Sequence, residues 1–159
     1  MHREIDYHTN GIATILQSPE RAKVLVKATN IGTVVEQNAN TDGWFHIPIT
    51  THTQIADIVG KAVTISSTSL ESLYLSAKVN ENAKIDRIHL RDGTKLIVDR
   101  DVNYIDTNVE ASLYLSKKEQ GHKLFAGLAM SIFVRFLTGE PRGRVEFRSA
   151  GARLRIVGP

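Results

Sequence analysis

A two-residue period dominates this chain and limits its fold more than any other feature. From Leu128 to Phe136 every second residue is apolar: Leu128, Met130, Ile132, Val134 and Phe136. Such alternation turns one face of an extended strand toward a core and the other toward solvent. The same grammar runs through 11–17, 23–29, 44–49, 61–67, 72–79, 84–90, 111–117 and 127–137. Turn-forming residues separate these segments at Ser18-Pro19, Asn30 to Gly32, Asp42-Gly43, Asn80 to Asn82, Gln120-Gly121 and Gly139 to Gly143. Only 53–59 reads as a short helix, with Thr53 as its cap. About ten short strands joined by polar turns predict an all-β domain: an antiparallel β-sandwich, jelly-roll-like, with a barrel as the alternative.

Two hairpins can be placed by register. A two-residue turn at Ala150-Gly151 sets Val145 against Ile156, Phe147 against Leu154 and Glu146 against Arg155, so that apolar meets apolar. Around Asp92-Gly93 a three-residue loop, Arg91-Asp92-Gly93, sets Ile88 against Leu96 and puts the glycine in the left-handed position. One internal echo is present, Ser72-Leu73-Tyr74-Leu75-Ser76 recurring as Ser112-Leu113-Tyr114-Leu115-Ser116. Five residues do not make a repeat, and they read as two strands with one burial pattern.

The 159 residues fit one domain, 1–159, with 1–9 as an N-terminal arm. No apolar run approaches the roughly 18 residues that a membrane helix needs. The absence of cysteine excludes disulfides, thiolate catalysis and cysteine-ligated metals. The polar start Met1 to Asp6 is unlike a secretory signal, so the expected location is cytoplasmic, or exported without a classical signal peptide. The formal charge of +3 is unevenly spread. Residues 1–119 hold 13 basic and 15 acidic side chains, and residues 120–159 hold 7 and 2. The terminal quarter therefore carries net +5 on a −2 body.

Candidate sites follow from chemistry. Arg144, Arg148, Arg153 and Arg155 should share one face of the terminal hairpin. That face reads as solvated sheet, subunit contact or anion surface; without interleaved aromatic rings, nucleic acid is disfavoured. Asp99, Asp101, Asn103, Asp106 and Glu110 match the oxygen positions of a calcium loop, but Tyr104 stands where the sharp turn requires glycine. Calcium is therefore only the alternative to no cofactor. Trp44-Phe45 must point to opposite faces of a strand, one ring core and the other free to act as a sugar platform beside His46 and His89. No His-x-His pair, nucleophile elbow or phosphate loop occurs, and His2, His8 and His122 are isolated.

Four pieces of the chain resemble a family of small bacterial all-β proteins that has no known activity. They are Gly43-Trp44-Phe45-His46-Ile47-Pro48-Ile49, residues 83–93 (Ala83 to Gly93, with Ile88-His89-Leu90-Arg91-Asp92-Gly93), Gly127-Leu128-Ala129-Met130-Ser131-Ile132 and Phe147-Arg148-Ser149-Ala150-Gly151-Ala152. They span most of residues 11–157; the chain departs at Thr50-Thr51-His52, where the family pattern repeats a proline. The resemblance implies a β-sandwich and brings no catalytic residue or cofactor. The expected function is a non-enzymatic binding or assembly module that self-associates or meets a protein partner. A carbohydrate- or calcium-dependent, lectin-like module is the alternative. A hydrolase or metal enzyme with a spatially assembled site is third.

Overall fold

A computed structural model describes residues 3–10, 15–16, 25–28, 31–37, 40–52, 54–59 and 62–157. The described residues are all-β, with no helix among them. The strands are β1 (Arg3–Asn10), β2 (Ile15–Leu16), β3 (Leu25–Ala28), β4 (Thr33–Gln37), β5 (Thr41–Ile49), β6 (Gln54–Val59), β7 (Ala62–Asp92), β8 (Lys95–Leu113), β9 (Leu128–Phe136) and β10 (Gly143–Val157). All pair antiparallel in one curled sheet, a half-barrel, in the order β2-β5-β9-β7-β10-β4-β3. β1 adds to β10, and β6 and β8 add to β7.

The 31-residue β7 organises everything. One of its edges is held by β6 and then β8; the other by β10 along Ser67–Val79 and then β9 along Ala83–Asp92. The change of partner falls at Asn80 to Asn82. Those residues are therefore no turn between strands but the place where β9 and β10 diverge into their connecting loop. Asn82 Nδ2 donates to Pro141 O at 2.7 Å, Asn80 Nδ2 donates to Arg142 O at 2.8 Å, and Arg144 N donates to Asn80 Oδ1 at 2.8 Å. Side-chain amides replace the ladder bonds that the divergence removes. The sheet is curled, and its two halves approach one another across the core. Phe45 of β5 meets Phe147 of β10 with ring centroids 5.4 Å apart, although the two strands are not neighbours.

β-Bulges keep these long strands amphipathic. Inward residues on β10 are Val145 and Phe147, then Ala150, Ala152 and Leu154. The parity changes at Arg148, which has no partner in the ladder to β7. On β7 the parity changes at Glu71 and again at Asp86. An extra residue at each point flips the following side chains to the opposite face, as a bulge must. All three bulged residues are charged and ion-paired: Arg148 with Glu146 at 3.1 Å, Glu71 with Arg155 at 2.7 Å, and Asp86 with Lys84 at 2.7 Å.

Several expectations are corrected by this arrangement. The hairpin turn at Ala150-Gly151 is absent; β10 runs straight through, and the parity change that suggested a turn is the Arg148 bulge. Gly151 is there because β1 comes close: a Cβ would lie 2.6 Å from Tyr7 O. The Glu146–Arg155 cross-strand pair is likewise absent, since both residues stand on β10. The expected helix at 53–59 is β6, which pairs back onto β7 from Val59↔Ala62 to Gln54↔Ser67. Six residues cannot nucleate a helix when a strand beside them offers backbone partners. The N-terminal arm is strand β1, registered on β10 from Arg3↔Ile156 to Asn10↔Ser149. The 99–110 loop is part of β8, and Asp42-Gly43 lies inside β5. The strand at 111–117 stops at Leu113.

The Asp92-Gly93 hairpin does form, but its loop is Gly93-Thr94, with Asp92 opposite Lys95. Gly93 has φ 57°, the left-handed value expected of it. Ile97 is the extra residue that restores register, with Leu90 opposite Val98. Asp92 is drawn out of the loop because its carboxylate has another task. It accepts hydrogen bonds from Phe125 N at 2.9 Å, Ala126 N at 2.8 Å and Gly127 N at 3.0 Å, with His122 Nε2 at 3.2 Å. It thereby pins the segment 114–127, whose Leu115 and Leu124 are buried in the core. The Ser72 to Ser76 and Ser112 to Ser116 echo also finds an explanation: Leu73 stands opposite Leu113 on adjacent strands, so the two segments share one burial pattern. Ser18-Pro19, His2 and Thr53 lie outside the described residues.

Candidate functional site

The outward face of β5, β9, β7 and β8 is laid out in rows by strand register. Trp44, Phe133, Arg87 and Asp101 stand side by side across the four strands. His46, Ser131, His89 and Asp99 form the next row. The sequence divides Trp44 from Phe45 as alternation requires: Phe45 is in the core at 1% exposure and Trp44 is half-buried on the outside. Phe133 is the counterpart on β9, an aromatic ring at an outward position between inward Ile132 and Val134.

These rings make a continuous aromatic floor. Trp44 lies 5.1 Å from Phe133 and 4.4 Å from His89, centroid to centroid. Above it opens a cleft of about 520 Å³ walled by Lys84, Asp86, Arg87, Asp101, Val102 and Arg135. The walls carry both charge signs and are interlocked. Arg87 grips Asp99 with two hydrogen bonds of 2.6 Å and reaches Asp101 at 3.6 Å. Asp86 binds Lys84 at 2.7 Å and Arg135 at 3.1 Å. The bulge places Asp86 here, and its Oδ2 is buried with no hydrogen bond to complete it. The Arg87 guanidinium beside Asp99 holds that carboxyl below the usual carboxylate range, against a smaller opposing effect of burial.

The histidines are tuned toward neutrality. Burial lowers the His46 pKa, and Arg91 lowers it further; its Nδ1 lies 2.7 Å from Ser131 Oγ. Burial also lowers His89, outweighing the opposite pull of Asp99, whose Oδ1 lies 3.2 Å from His89 Nε2. A histidine whose folded pKa lies below its unfolded value binds fewer protons when folded, so its contribution to stability is lost as pH falls. The unfolding midpoint should therefore drop below about pH 6.5. His46→Gln should flatten that slope in a pH series of thermal melts; an unchanged slope would show that His46 is not one of its sources.

The other sequence candidates are placed differently. Asp99, Asp101, Asn103, Asp106 and Glu110 are strung along β8 and are not brought together. Asp99 and Asp101 face Arg87, while Glu110 accepts from Ser76 at 2.6 Å and from the Tyr74 hydroxyl. Among the described residues no group of three His, Asp or Glu could hold a metal ion. The four arginines are each met by carboxylates: Arg144 by Glu36 and Glu146 at 3.8 Å, Arg148 by Glu146 at 3.1 Å, Arg153 by Asp6 at 2.8 Å, and Arg155 by Glu71 at 2.7 Å. Most of those acids come from the −2 body, so the +5 terminal quarter is largely neutralised by folding. His122 pairs with Asp92, and His52 Nδ1 lies 2.9 Å from the Tyr7 hydroxyl.

Phe133, Asp86 and Arg135 were not singled out in the sequence. Phe133 had a legible signal, an aromatic residue out of phase with the apolar alternation of 128–136. Asp86 had none, because its position depends on a bulge. No protein-family model matches the chain, and no curated protein matches it. The fold and the cleft thus define it as an all-β protein with an aromatic-floored, charge-walled cleft on its outer face.

Proposed function

We propose that this protein is a non-enzymatic binding module whose ligand is a neutral carbohydrate seated on Trp44 and Phe133. The observation that carries the reading is the pairing of an aromatic floor with walls of both charge signs, whose three cations are already held in ion pairs. A sugar ring offers an apolar C–H face to stack on aromatic rings and hydroxyls that donate and accept around its rim. Lys84, Arg87 and Arg135 supply donors, and Asp86 and Asp101 supply acceptors. Lys84 and Arg135 are held by Asp86, and Arg87 by Asp99 and Asp101, which leaves no free cation to favour an anionic ligand. The cleft's volume suits one or two sugar rings. We read the curled sheet around it as a jelly-roll-like sandwich, its halves in contact through Phe45 and Phe147.

Trp44 is the sole tryptophan, so its fluorescence reports on the cleft directly. A glycan array followed by titration should give a ligand that changes Trp44 emission saturably. Phe133→Ala should weaken that ligand by about tenfold or more, the loss of one stacking partner plus its apolar contact. Trp44→Ala, read by calorimetry, should abolish measurable binding. An array without hits, or a hit that both variants bind unchanged, would remove the reading.

A further inference from the structure

A second cleft, of about 440 Å³, lies where β7 changes partner, and it shares no lining residue with the Trp44 cleft. It is lined by Glu36, Lys78, Asn80, Pro141, Arg142, Arg144 and Glu146. Its acids are already engaged: Glu146 with Arg148 at 3.1 Å and Arg144 at 3.8 Å, and Glu36 with Arg144 at 3.8 Å. Lys78 and Arg142 have no carboxylate within ion-pair distance among the described residues, although Lys78 stands directly across the ladder from Glu146. The cleft therefore holds two uncompensated cations of different geometry, one a point charge and one a planar fork.

The backbone that carries Arg142 is also held in place. Asn80 uses both ends of its amide on this segment, donating to Arg142 O and accepting from Arg144 N at 2.8 Å each. Asn82 fixes Pro141 O at 2.7 Å. A loop tethered at Pro141, Arg142 and Arg144 loses little further backbone freedom on binding, which favours an exposed charge pair becoming a site.

From this geometry we infer that the second cleft binds the phosphate group of a small phosphate monoester, with Arg142 gripping two oxygens and Lys78 neutralising the third. A tetrahedral dianion matches a fork plus a point charge, whereas a planar carboxylate would leave Lys78 unused. Binding here is independent of the carbohydrate reading, because it leaves Trp44 untouched.

The test is a titration of the full chain with inorganic phosphate and, in parallel, with glycerol phosphate, followed by amide chemical shifts and by Trp44 fluorescence. Saturable shifts at the Asn80 side-chain amide, Arg142 and Arg144, with Trp44 emission constant, are expected from both. Lys78→Ala and Arg142→Ala should each raise the Kd by about tenfold or more. Arg142→Lys, which keeps the charge and loses the fork, should fall between, and Arg153→Gln outside the cleft should change nothing. No saturable shift, wild-type affinity in Lys78→Ala and Arg142→Ala, or phosphate-dependent quenching of Trp44 would each overturn the inference. The last would place the anion in the other cleft.

Discussion

Asp92→Ala is expected to destabilise the protein by about 3–5 kcal/mol, among the largest effects a single change can have. The carboxylate is buried and accepts from three consecutive backbone N–H groups, Phe125, Ala126 and Gly127, and from His122. Removing it leaves those donors without partners in a place water cannot reach, and each such loss costs about 1–3 kcal/mol. Because the segment 114–127 carries buried Leu115 and Leu124, its release would also uncover core. Asp92→Asn keeps one acceptor oxygen and should lose roughly half as much. Burial raises the Asp92 pKa, but the backbone N–H groups of Ala126, Phe125 and Gly127, with His122, outweigh it and leave the group below its ordinary value. A lowered folded pKa means stability that is present above the ordinary carboxylate value of about 4 and lost as pH falls through the folded one. Chemical denaturation at neutral and acidic pH checks both statements. An Asp92→Ala midpoint within experimental error of wild type would refute them.

Phe147→Ala should destabilise by about 3–5 kcal/mol, the range for deleting a large buried aromatic side chain and leaving a cavity. Phe147 is fully buried, and its ring contacts Phe45 at 5.4 Å, where the two halves of the curled sheet meet. The chain has no disulfide to hold those halves together, so apolar contact across the core must. Phe147→Leu retains most of the buried area and should lose less than half as much. Denaturant melts separate this from a purely local effect. A marginal core predicts a lower midpoint at an unchanged m value, whereas a separation of the halves before global unfolding predicts a broadened transition. A Phe147→Ala midpoint equal to that of Phe147→Leu would show that the contact does not close the fold.

The all-β, strand-rich nature of the chain was legible because alternation is local. Leu128 to Phe136 form β9 with the inward set read from the sequence. The split of Trp44 from Phe45 was legible for the same reason. Strand ends were not. A change in apolar parity signals either a tight turn or a bulge, and both satisfy the same sequence between Val145 and Leu154. Only a strand running alongside distinguishes them, and β7 accompanies β10 from Val145 to Val157. Asp92-Gly93 shows the converse case: the glycine was read correctly, but the aspartate belonged to a contact 33 to 35 residues away.

Charge was the feature least readable in one dimension. The +5 of the terminal quarter suggested a partner outside the chain, yet β1, β4 and β7 bring Glu4, Asp6, Glu36 and Glu71 against those arginines. By itself the sequence determined that this is an all-β chain and which residues of its clearest strands face inward, because side-chain direction in a strand depends only on parity. The tertiary structure decided which long strand continues, which bulges, and that Lys78 and Arg142 of the second cleft have no ion-pair partner among the described residues, because register and ion pairing depend on strands far apart in the chain.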